Sequence, residues 1–94
     1  MAVVRKKPEV VVITGASAGV GRAIVRKFAD RGAHIGLLAR GHAGLEGACK
    51  DVEEAGGKAL MILTDVADAE QVEAAADKVE QTFGHPFRLF MNLK

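Results

Sequence analysis

Four short apolar runs alternate with three longer stretches whose apolar residues recur at helical spacing. That alternation narrows the fold more than any other feature of the chain. The runs are Glu9–Thr14 (EVVVIT), Ala33–Ala39 (AHIGLLA), Lys58–Thr64 (KALMILT) and Phe87–Met91 (FRLFM). Segments this short and this continuously apolar read as strands, the first two as strands covered on both faces. In the first interval Val20, Ala23, Ile24 and Phe28 share a helical face, and Gly32 is placed to end the helix as a left-handed cap. In the second, Leu45, Ala48, Cys49 and Val52 follow the i, i+3, i+4, i+7 rule, and Gly56 and Gly57 stop the helix. In the third, Asp68 with Gln71 three residues on gives a capping-box pattern. The stripe Val72, Ala75, Ala76, Val79 and Phe83 follows, closed by Gly84 and Pro86.

The order β-α-β-α-β-α-β calls for parallel strands, right-handed crossovers and helices on the faces of the sheet. The expected fold class is α/β, the N-terminal half of a Rossmann-like doubly wound parallel sheet with strand order 3-2-1-4. Residues 1–94 would form a single partial domain, in keeping with a length of one domain or part of one. A hydrophobic share of 49% excludes a disordered chain. The 13 basic and 12 acidic residues leave a net charge of +1, which argues against general nucleic-acid binding and against a membrane-surface role. A single cysteine, Cys49, excludes an internal disulfide framework and a cysteine-rich zinc site. No apolar run approaches the roughly 18 residues of a spanning helix. Val10–Ile13 is too short for the core of an export signal. A cytoplasmic setting is the resulting expectation.

Glycine makes up 11 of the 94 residues, about 12% against a usual 7% or so. The excess gathers in Thr14–Gly21 (TGASAGVG), which follows the first strand directly and opens the first helix. A helix N-terminus offers unpaired backbone N–H groups and partial positive charge, a ready seat for a pyrophosphate. Side chains at Gly15, Gly19 and Gly21 would obstruct the turn, the approach of a ligand or the packing of helix on strand. Ser17 adds a hydroxyl within reach of a phosphate oxygen. The competing reading is a glycine-rich turn with no ligand. A P-loop is excluded, because Arg22 and Ala23 follow Gly21 where Lys and Ser or Thr would stand.

The spacing Thr-Gly-x-x-x-Gly-x-Gly after a first strand resembles the short-chain dehydrogenase/reductase family. The resemblance continues through Arg40, Thr64-Asp65-Val66 and Phe83-Gly84 and so covers residues 9–84. It implies a nicotinamide dinucleotide held by Gly15, Ser17, Ala18, Gly19, Val20 and Gly21. An acid after the second strand would select NAD by bonding the adenosine ribose. Arg40 stands there instead, and a guanidinium suits a 2′-phosphate. NADP is therefore expected over NAD, although Ala18 occupies a loop position where the family often carries a second basic residue. The alternative for Arg40 is a solvated surface arginine. The resemblance gives Asp65 the adenine amino group and gives the Val66 backbone the ring; the alternative for Asp65 is a loop cap.

The remaining polar residues carry less. His34 starts a strand, His42 is read into the loop after Arg40, and His85 falls in a turn; none is spaced as a metal ligand. Cys49 reads as a buried core thiol. Arg5, Lys6 and Lys7 read as a solvated arm. The family's proton donor is a tyrosine with a lysine four residues on. This chain has no tyrosine, so no catalytic residue is assigned. Asn92 falls where the family's Asn-Asn-Ala-Gly run would begin, but Leu93 and Lys94 follow. The expected function is the NADP(H)-binding portion of an oxidoreductase that moves hydride between nicotinamide and a carbonyl or alcohol, inactive by itself. The alternatives are a free-standing NADP-binding regulatory module and a truncated product without a role. The apolar strand near Phe87–Met91 is a candidate surface for self-association.

Overall fold

The computed structural model describes residues 9–16, 19–84 and 87–90. Strand β1 spans Val10–Thr14, helix α1 Gly19–Ala29, β2 His34–Ala39, α2 His42–Glu54, β3 Ala59–Leu63, α3 Ala69–Phe83 and β4 Phe87–Phe90. The strands form one parallel sheet in the order β3-β2-β1-β4. Val12 stands opposite Gly36 on one side and Leu89 on the other, and Leu37 stands opposite Met61.

Alternation along the strands divides the core into two layers. Val11 and Ile13 of β1, with Ile35 and Leu37 of β2, face α1 and α2, where Val25, Phe28, Leu45, Ala48 and Val52 close over them. Val10, Val12 and Leu38 face the other way, against Ala75 and Val79 of α3. Both faces of β1 and β2 are therefore covered, as their unbroken apolar sequence requires. The outer strand β3 is less covered, and Met61 and Leu63 are exposed.

Four local expectations are corrected. The buried face of α1 is Gly21, Val25, Phe28 and Ala29, with Val20 64% exposed and Ala23 exposed. Gly21 packs directly on the backbone of Gly15 and Ala16, while its neighbour Val20 faces outward. His42 is the first residue of α2 rather than part of a loop. Cys49 is only half-buried, at the edge of the core beneath α2. Burial pushes its thiol pKa up, and a hydrogen-bonded Glu53 pushes it further, which favours the unreactive neutral form.

The capping box before α3 is the fourth. Asp68 caps as expected, its Oδ1 accepting from the backbone N–H groups of Glu70 and Gln71. The returning arm does not take the backbone N–H of Asp68, which is already bonded to the Asp65 carbonyl at 3.0 Å. Gln71 reaches past it to the N–H of Asp65.

Helix α1 closes as expected. The Ala33 N–H donates to the Phe28 carbonyl and the Gly32 N–H to that of Ala29, with Gly32 at φ +74°. These two bonds make a Schellman cap. Helices α1 and α2 are braced to each other by Arg22 Nε on Asp51 Oδ2 at 2.8 Å, with Arg26 Nε on the same oxygen at 3.3 Å.

Candidate functional site

The carboxyl ends of β1, β2 and β3 deliver the three sequence motifs to one edge of the sheet. Two backbone hydrogen bonds hold them together: the Ala16 N–H donates to the Leu38 carbonyl at 3.2 Å, and the Thr64 N–H to the Ala39 carbonyl at 2.9 Å. Ligands of open parallel sheets bind outside this end, where successive crossovers diverge. Here the chain passes from β1 outward to β2 and β3, then returns to place β4 on the far side of β1.

The glycine loop leaves β1 at Thr14, which is fully buried. Gly15 and Gly19 have φ of +61° and +60°, values that strain a side-chain-bearing residue. A Cβ on Gly19 would stand in open space, so the left-handed turn rather than crowding calls for glycine there. Gly21 is the opposite case. A Cβ there would run into the carbonyl of Gly15, so the first turn of α1 lies directly on the loop. No acidic side chain sits in that turn to offset the positive end of the helix. Val20 projects outward beside it. Ser17 and Ala18 lie outside the described residues. A helix N-terminus with glycine at positions 19 and 21 and no acidic side chain in its first turn fits a pyrophosphate.

Arg40 immediately follows β2 and is exposed. Together with Leu63, Thr64, Asp65 and Gln71 it lines a groove of about 200 Å³. Asp65 heads a tight turn: its Oδ1 accepts from the Ala67 N–H at 3.0 Å and its carbonyl from the Asp68 N–H. Half-buried Val66 sits inside that turn. The structure thus gives Asp65 the role of a turn former and also sets it in the groove beside Arg40. Thr64 is buried, its hydroxyl donating to the Ile62 carbonyl at 3.0 Å.

Leu63 and Gln71 are explained in the sequence by apolar and capping patterns, and Thr64 enters only as part of the Thr64-Asp65-Val66 motif with no role of its own; the convergence of β2, β3 and α3 brings all three to the groove. His34 is remote from it. The His34 ring lies 5.2 Å from that of Phe83, at the opposite end of the sheet. His85 lies outside the described residues. Among the described residues no cluster of His, Cys, Asp or Glu could hold a metal ion, and no helix is long and apolar enough to cross a membrane.

Comparison with known proteins gives the arrangement its context. The family model of the short chain dehydrogenase matches residues 9–92. Hydroxysteroid dehydrogenase-like protein 2 of Xenopus tropicalis is 44% identical over 79 residues, 77% of this chain and 19% of that protein. The L-sorbose reductase of Gluconobacter frateurii, solved with NADPH and L-sorbose, superimposes with a TM-score of 0.83 at 39% identity, over 94% of this chain and 34% of its own. An NAD+-bound xylitol dehydrogenase superimposes with a TM-score of 0.80 at 32% identity, over 90% of this chain and 33% of its own. The chain spans about a fifth of the length of the curated relatives it matches and about a third of the solved structures. With the glycine loop, the parallel sheet and the matched residues in agreement, the chain belongs to the short-chain dehydrogenase family.

Proposed function

We propose that this chain is the NADP(H)-binding portion of an oxidoreductase acting on a carbonyl or alcohol. The observation that carries the reading is the placement, at the carboxyl end of one sheet, of a glycine-rich helix N-terminus with no acidic side chain in its first turn and of a groove lined by Arg40 and Asp65. In this reading the N–H groups of Gly19, Val20 and Gly21 face the pyrophosphate, with Ser17 and Ala18 of the same loop beside it. Arg40 holds the 2′-phosphate of the adenosine ribose. Asp65 accepts from the adenine amino group, and the Val66 backbone borders the ring. When bound, the cofactor supplies the hydride.

The chain's own part is to bind and orient. It carries no tyrosine and so no Tyr-x-x-x-Lys proton donor, and the 94 residues are proposed not to turn over a substrate alone. The NADPH bound by the sorbose reductase supports the choice of NADP, and the NAD+ bound by the xylitol dehydrogenase makes the choice a question for Arg40. We also propose that β4, paired only with β1 among the described residues, offers its outer edge to a second copy. Met91, at the end of that run, lies outside the described residues.

Titration with NADPH and NADH tests the reading. NADPH is expected to bind more tightly. Arg40→Ala is expected to lose that preference by roughly ten- to a hundredfold, the worth of hydrogen bonds between charged groups. An unchanged preference would overturn the role of Arg40, and binding of neither cofactor would overturn the reading as a whole.

A further inference from the structure

The turn after β3 is closed by a hydrogen-bond network with the Gln71 carboxamide at its centre. Gln71 Oε1 accepts from the backbone N–H of Asp65 at 2.9 Å, while Gln71 Nε2 donates to Asp68 Oδ2 at 3.2 Å. The same side chain lines the groove with Arg40, Thr64 and Asp65. We propose that Gln71 is a positioning residue for purine recognition, holding Asp65 where its carboxylate meets the exocyclic amino group of adenine. This inference rests on the adenine-binding reading of Asp65 given above.

The chemistry of the two contacts explains why glutamine serves there. The Asp65 N–H needs an acceptor, and Asp68 Oδ2 takes a donor. A neutral carboxamide supplies both from one group. Glutamate would offer the acceptor but set a second carboxylate against Asp68. An apolar side chain would offer neither.

The helix does not need this contact. Asp68 Oδ1 alone accepts from the N–H groups of Glu70 and Gln71. Nor does the Asp65 carboxylate need it to make its turn, since Oδ1 is held by Ala67. The Asp65 N–H is exposed enough for water to replace the lost acceptor, so folding loses little when Gln71 is truncated. What is lost is the fixed placement of Asp65, and ordering it again on binding weakens affinity.

The experiment compares NADP+ with its hypoxanthine analogue, in which a carbonyl replaces the adenine amino group and confronts the Asp65 carboxylate with an acceptor. Calorimetric titration of the wild-type chain is expected to favour NADP+ by about tenfold, one hydrogen bond to a charged group. Gln71→Ala is expected to bring the two ligands within about twofold of each other, with its urea midpoint unchanged. Gln71→Glu is expected to regain the preference as pH falls from about 7.5 to about 5.5. Paired carboxylates titrate above their ordinary range, and protonating one returns the missing donor.

Equal discrimination by wild type and Gln71→Ala overturns the inference, as does a Gln71→Glu preference that stays flat with pH. A wild-type chain that binds both dinucleotides equally overturns the adenine role of Asp65, and the inference with it. A chain that binds neither overturns the dinucleotide reading itself.

Discussion

A single methyl group at Gly21 probes the glycine loop most directly. The added Cβ would meet the Gly15 carbonyl, a backbone atom that cannot swing aside like the end of a side chain. Gly21→Ala is therefore expected to cost about 1–3 kcal/mol of stability in urea titration, the usual toll of overpacking. An unchanged midpoint would mean that the loop and α1 lie further apart than described. Arg40→Ala is the contrasting case. Arg40 is exposed, so its loss should leave stability within about 0.5 kcal/mol while changing cofactor preference. The two residues were equally legible in the sequence for different reasons. Gly21 belongs to a spaced motif, and Arg40 stands where an acid would otherwise be. Gln71 was half legible. Its distance from Asp68 marked a cap, but its partner depended on where the Asp65 turn had already spent the Asp68 N–H.

The helices differ in what secures them. Helix α3 rests on Asp68, and Asp68→Ala is expected to cost about 1 kcal/mol, read as a lower thermal midpoint. Helices α1 and α2 are joined by Arg22, Asp51 and Arg26. The Arg22 guanidinium, with Arg26 behind it, holds the Asp51 carboxyl below its ordinary range. A depressed folded pKa contributes stability above the unfolded value, and that contribution fades as pH falls through the folded one. Stability should therefore decline on acidification below the ordinary carboxylate pKa of 3.8, and Asp51→Asn should flatten that part of the profile. A variant with the same acid limb as wild type would show that other carboxylates govern it. The brace was not legible, because Arg22 and Asp51 are 29 residues apart and only the packing of α1 beside α2 brings them together.

At the scale of the whole molecule, β3, with Met61 and Leu63 exposed, and β4 are the outermost strands of the sheet among the described residues. A strand edge presents unpaired N–H and C=O groups to any other strand. The chain is expected to associate with increasing concentration in sedimentation velocity. A single monomer boundary across the range would refute the proposed use of the β4 edge. The same view explains His34, at the far end of β2. Burial lowers its pKa, and the nearby charge of Lys58 lowers it further. Its neutral form therefore adds stability above the ordinary histidine value, and that part is lost as pH falls through the folded pKa.

Element type and order followed from local rules that act within a few residues. β-branched runs favour extended backbone, helical spacing builds an apolar stripe, and glycines with Asp68 mark the ends. The glycine loop belonged to the same class, since its motif lies within eight consecutive residues. The rotation of α1, the destination of the Gln71 carboxamide and the grouping of Arg40 with Thr64 and Asp65 were decided only in three dimensions. The last joins strands distant in the chain, and the first two are contacts across loops that no helical or strand period describes, where close packing admits one arrangement and local preference admits several.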